Sequence, residues 1–374
     1  MDYFITRTEN IENINDRRVV LEDTIMQKGR LVTAGSKHLG NFVSPIQATV
    51  ADRLENAGYT IVGTTSIDEF GLSGLFADCE PEINGAIKAL KNDEADFALC
   101  NDYTGKTERE AAKNGFYYIH PTYGTVSRYG LISAAASIDQ VGIICKNPQA
   151  GYELLANIAG YDENDGAFFT SEINPENIEK TPEKLRFAVP TNVFESDISD
   201  VKTITNEYIQ NADFIEIRLE YIEVYEQVMQ ILCFAEISNN ITRYDGIKFG
   251  YRTADFTDLQ ELYEKTRTEA FGSEAKLVAI LGAYVLSNEN YDKLYDKAMR
   301  IRKMIKESLG FENYDVIVLP ADLPFAANNV PRLALSALSR LCGLPSLTLP
   351  VNETGITLVA NAGYDDVLRK ITNH

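Results

Sequence analysis

Ala48-Thr-Val-Ala-Asp-Arg-Leu-Glu-Asn-Ala57, closed by Gly58 and followed by Thr60-Ile-Val-Gly-Thr-Thr65, decides how the chain is read. The apolar residues of the first run recur at helical spacing and stop at a glycine, so the run predicts a short helix. The β-branched run after it predicts a strand. The same order of helix then strand returns at 82–91 before 97–100, at 204–210 before 214–217, and at 292–309 before 316–319. Such alternation predicts an α/β fold with a mainly parallel, mixed sheet core and helices on both faces. No internal repeat or low-complexity tract interrupts it, and 374 residues suit one large α/β domain or two medium ones; with no linker visible, one domain over 1–374 is expected.

Composition narrows the function classes. A formal net charge of −20 opposes a grip on nucleic acid, which needs Lys and Arg against phosphates. The five cysteines are scattered and odd in number, which suits a reducing compartment rather than a disulfide framework. Met1 to Glu9 is too polar for a signal peptide, and Asp139 and Gln140 interrupt the longest apolar run, so a soluble cytoplasmic protein with no membrane segment is expected. His38, His120 and His374 have no carboxylate or cysteine at metal-ligand spacing, and no glycine-rich phosphate loop is present. The expectation is therefore no metal and no cofactor.

Two further segments are more specific. Tyr244-Asp-Gly-Ile-Lys-Phe-Gly-Tyr-Arg252 and His120-Pro-Thr-Tyr-Gly-Thr-Val-Ser-Arg-Tyr-Gly-Leu131, with Ser137-Ile-Asp-Gln-Val-Gly142 after it, closely resemble segments of the amidase signature family. Within that family they are most similar to the A subunits of tRNA-dependent amidotransferases, which release ammonia from glutamine. The resemblance implies the amidase signature fold and a Lys-Ser-Ser triad. It also implies that the N-terminal helical region is shortened to Met1–Arg18, and that about fifteen residues are missing between Leu72 and Pro81.

The triad positions hold other residues. Val19-Val-Leu-Glu-Asp-Thr-Ile25 resembles the segment that carries the catalytic lysine, which places Glu22 there. The Ser-Asp-Thr-Gly-Gly-Ser pattern falls on Asn101 to Lys106, so Lys106 stands at the nucleophile. Counting back puts Glu82 at the bridging serine, and the resemblance implies that positions 22, 82 and 106 come together. In the oxyanion loop, Asp102, Tyr103, Thr104 and Gly105, one glycine has become Thr104. The paired arginines that would hold a substrate carboxylate correspond to Leu277 and Val278. The aspartate ahead of the Asn-Leu-Ala-Gly-Leu-Pro motif falls on Leu333.

Acyl transfer needs a hydroxyl or thiol beside a base, and amide donors that can approach the reacting carbonyl. Register aligns no hydroxyl with Glu22. Three readings follow: a pseudoenzyme with a binding, scaffold or regulatory role in a complex; a repurposed enzyme using Lys106 with Glu22 and Glu82; or, by overall similarity, a working A-type member of a glutamine amidotransferase. The first implies a protein partner or a homo-oligomer, and the second a small-molecule ligand. Tyr244 to Arg252, far in sequence from the triad positions, is expected to shape the fold more than to bind.

Overall fold

The run at 48–65 folds as α1 (Thr49–Asn56) and β3 (Thr60–Thr65), with Val50, Ala51 and Leu54 of α1 buried. The computed structural model describes residues 3–8, 17–76, 84–167, 184–194, 213–322, 330–351 and 355–372. The chain divides into two units. One comprises Met1–Asn101, Arg128–Asp139 and Gln230–Met299; the other comprises Asp102–Ser127, Gln140–Met229 and Arg300–His374.

In the first unit, β1 (Phe4–Arg7), β2 (Arg18–Glu22), β3 and β4 (Phe97–Asn101) stand in the order β1-β3-β2-β4. β2 runs parallel to β3 and to β4, and only β1 is antiparallel to its neighbour. Helix α1 packs on β3, and α2 (Gly85–Lys91) packs on β2 and β4. Each Leu or Ile buried under these helices is worth about 2 kcal/mol. The parallel register, Leu21 opposite Leu99, brings Glu22 and Asn101 together at the carboxyl ends of adjacent strands. Ligand sites of open α/β sheets form at such ends.

Three longer helices complete this unit: α5 (Tyr225–Ile241, from Gln230 onward), α6 (Leu259–Ala270) and α7 (Ser273–Leu286). The 244–252 segment ties them to the 3-10 turn at Lys37–Leu39. Tyr244 is buried, stacks on Phe70 at 5.4 Å and lies 5.3 Å from the His38 ring. A side chain at Gly250 would meet the His38 carbonyl at 2.5 Å, and Tyr251 N donates to that carbonyl at 2.6 Å. These contacts give the segment a part in the packing of the first unit.

In the second unit, β5 (Tyr117–His120), β6 (Val141–Cys145), β7 (Arg186–Pro190), β8 (Asp213–Ile217), β9 (Val316–Pro320), β10 (Ser346–Leu349) and β11 (Ile356–Ala360) take the order β6-β5-β10-β11-β9-β7-β8. β7 is parallel to β8 and β9; the remaining pairings here are antiparallel. The sheet is thus mixed, and the mainly parallel expectation fits the first unit better than the second. The link between β10 and β11, residues 350–355, is too short for a parallel crossover. Alternation of helix and strand reports crossovers and passes over such hairpins.

Helices α3 (Lys106–Lys113), α4 (Pro148–Ile158), α8 (Lys297–Glu307), α9 (Arg332–Cys342) and α10 (Asp365–Ile371) belong wholly or mostly to this unit. Asn147 caps α4 by accepting from Ala150 N at 3.1 Å, with Pro148 in the first turn where its missing N–H costs nothing. The helix expected at 204–210 lies outside the described residues. Among the described residues no helix is long and apolar enough to cross a membrane.

Candidate functional site

Glu22 ends β2 with its side chain fully removed from solvent. Its Oε1 accepts from Thr24 Oγ1 at 2.7 Å and from Asn101 N at 3.2 Å. Asn101 in turn donates through Nδ2 to Asp139 Oδ1 at 3.0 Å, while Asp139 also accepts from Ser133 Oγ at 2.6 Å and Ala134 N at 3.0 Å. Thr24 therefore supplies the hydroxyl that sequence register did not align with Glu22. Its place two residues further on, just past the strand end, turns it back on the carboxylate.

The Asp102–Gly105 loop and the start of α3 belong to the second unit. Gly105 sits at φ +75°, and a Cβ there would stand 2.2 Å from Ser336 Cβ, so only glycine lets the loop press on α9. Ser336 Oγ donates to Thr104 O at 2.8 Å from the same helix. Asp102 Oδ2 accepts from Glu108 N at 2.8 Å inside the first turn of α3 and from Arg340 Nη2 at 3.3 Å. Asp102 thereby fixes the loop. Tyr103 and Thr104 are buried.

Beneath the loop lies a charge network that sequence reasoning missed. Arg340 and Glu108 are almost completely buried and meet at 2.5 Å, Nη1 to Oε2. Glu108 Oε1 also accepts from Thr348 Oγ1 at 2.5 Å and Thr357 Oγ1 at 2.8 Å. Burial pushes the Glu108 carboxyl up, but the guanidinium and the two hydroxyls outweigh it and hold it below its ordinary value. Burial pulls Arg340 down, while Glu108 and Asp102 together raise it. The available signal was an arginine in the apolar run Leu333 to Cys342, at the asparagine place of the motif that located Leu333.

Lys106 opens α3, and its Nζ lies 4.0 Å from Glu110 Oε1 one turn on. It offers no hydroxyl or thiol. Glu82 lies outside the described residues, Glu22 belongs to the first unit and Lys106 to the second. Of the positions matched to substrate contacts, Leu277 is exposed and Val278 buried on α7, and Leu333 is buried in the first turn of α9. None can hold a carboxylate. Among the described residues, no cluster of three or more His, Cys, Asp or Glu could hold a metal ion.

The pattern of the Amidase family matches residues 19–88 and 89–366. The chain belongs to the Amidase family. It is 34% identical over 368 residues to the A subunit of glutamyl-tRNA(Gln) amidotransferase from Lachnoclostridium phytofermentans, covering 89% of this chain and 74% of that protein. With its counterpart in Nitrosomonas europaea it shares 35% identity, covering 89% and 76%. The crystal structure of the A subunit of the Thermotoga maritima amidotransferase superposes with a TM-score of 0.73 at 24% identity, covering 99% of this chain and 86% of that one. The 6-aminohexanoate cyclic dimer hydrolase shares the fold at a TM-score of 0.76 and 16% identity, covering 95% and 83%. This amidase-family chain thus keeps the fold while Glu22 and Lys106 stand where the resemblance implies lysine and serine.

Proposed function

We propose that the chain resembles the A subunits of amidotransferases in fold, does not hydrolyse amides, and serves in the cytoplasm as a binding or scaffold component of a protein complex. The observation that supports this reading is Lys106, whose Nζ lies 4.0 Å from Glu110 Oε1: the resemblance implies a nucleophilic serine at this position, and the side chain offers no hydroxyl. The loop that leads to it is braced by Arg340 and closed against Ser336, with Thr104 in place of a glycine. The names of its relatives, each one component of an amidotransferase, support a protein partner. The test is ammonia release from glutamine by the purified chain, with none expected above a no-enzyme blank.

A second reading, a working amide hydrolase within such a complex, is favoured by the 34% identity over most of the chain and by one local geometry. Thr24 Oγ1 and Glu22 form a hydroxyl and carboxylate pair at 2.7 Å. Turnover abolished by Thr24→Val would support that reading.

A further inference from the structure

In the first unit, α5, α6 and α7 enclose an open groove of about 550 Å³. One wall is a stripe along α7, Lys276, Ala279, Ile280, Ala283 and Leu286, spaced mostly three or four residues apart and so on one helix face. Ile241 and Phe271 contribute to the lining from the facing elements, and Ile280 is 67% exposed. Gly282 sets the close approach of α7 to α5, since a Cβ there would lie 2.1 Å from the Phe234 carbonyl oxygen. Hydroxyls on the walls are turned to helix carbonyls: Ser238 Oγ donates to Ala235 O at 3.2 Å and Thr242 Oγ1 to Asn239 O at 2.6 Å. What the groove presents is mainly apolar.

Among the described residues that line it, two are cations and none is a carboxylate. Arg267 donates to the carbonyls of Tyr244 and Thr242 at 3.3 and 2.9 Å, and Lys276 Nζ to that of Thr268 at 2.8 Å. Those acceptors are neutral, and Glu69, which interacts with Lys276 through charge, does not line the groove. Both groups keep further N–H donors. In a chain with 55 acidic against 35 basic side chains, a groove whose described charged lining residues are Arg267 and Lys276 reverses the prevailing charge.

We propose that this groove binds a small apolar molecule ending in a carboxylate, its body along α7 and its carboxylate at Arg267 and Lys276. The volume suits such a ligand, since small-molecule sites run to roughly 300–1,000 Å³. Charge-assisted bonds from both cations supply the preference for an acid over an alcohol. The proposal goes beyond the function above and is independent of it. The groove uses none of Glu22, Asn101 or Lys106, and Leu277 and Val278 do not line it.

The test is calorimetric titration of the full chain at neutral pH with dodecanoate and with dodecanol, below micelle-forming concentrations. Saturable one-to-one binding of dodecanoate, about tenfold tighter than of dodecanol, is expected. Lys276→Glu should weaken dodecanoate about tenfold or more and leave dodecanol nearly unchanged. Ile280→Glu, at an exposed position, should weaken both. Thermal melts of the variants that match the wild type establish that each is folded. No saturable binding, equal affinity for the alcohol, or indifference to Lys276→Glu overturns the proposal. A wild-type dimer that Ile280→Glu splits would give the groove to a second copy of the chain, and would overturn it too.

Discussion

Glu22 in the first unit and Glu108 in the second are both carboxylates taken out of water, and they differ in the donors found around them. Glu22 is met by neutral donors, a threonine hydroxyl and a backbone amide. Glu108 is met by the full charge of Arg340, which also reaches Asp102. His38 extends the contrast in the first unit: it is buried among aromatic rings and neither ring nitrogen has a hydrogen-bond partner. The loop that leads to Lys106 is thus part of a charged brace. Glu22, at the end of β2, accepts from the Thr24 hydroxyl and the Asn101 amide.

The largest expected effect breaks the brace. Arg340→Met removes the guanidinium that bonds both Asp102 and Glu108 and leaves them only the charge of neighbouring Arg109, at a cost of about 3–5 kcal/mol in urea unfolding. Adding Glu108→Leu should recover part of that loss, because an apolar pair replaces an orphaned charge. A single-variant loss below about 1 kcal/mol would show that the network is solvated and that the contrast between the units is false.

Next in size is the pH response of the first unit. Burial lowers the His38 pKa to about 4, below its ordinary value of 6.5. Between those values the unfolded chain binds more protons than the folded one, so the His38 contribution to stability is lost as pH falls through that window. The slope is at most about 1.4 kcal/mol per pH unit. Asp23, raised to about 6 by burial against its Thr33 hydrogen bonds, acts with the opposite sign in an overlapping range. Unfolding of wild type and His38→Leu between pH 7 and 4.5 separates the two: the variant should lose less stability on acidification. Parallel curves would mean that His38 is protonated within the fold.

The smallest effect is Glu22→Gln. Neutral donors serve an amide oxygen nearly as well as a carboxylate, so the cost should be about 1 kcal/mol. A loss equal to that of Arg340→Met would show that charge holds Glu22 as it holds Glu108, and would remove the comparison.

Much of this was legible from sequence because it is local. Helical spacing ending in Gly58, then a β-branched run, gave α1 and β3. The antiparallel pairing of β10 with β11 was missed because the pattern used reports crossover helices. Arg340 was missed for a different reason. Its partner Asp102 lies 238 residues away, so no spacing rule links them. Thr24 was missed because its role depends on where the chain turns after β2.

Ammonia release from glutamine tests the central claim most directly. The purified chain should give none above a no-enzyme blank, and Lys106→Ala and Thr24→Val should give the same flat trace. Turnover by the wild type that disappears in either variant would contradict the account and return the chain to the amide-hydrolysing members of its family.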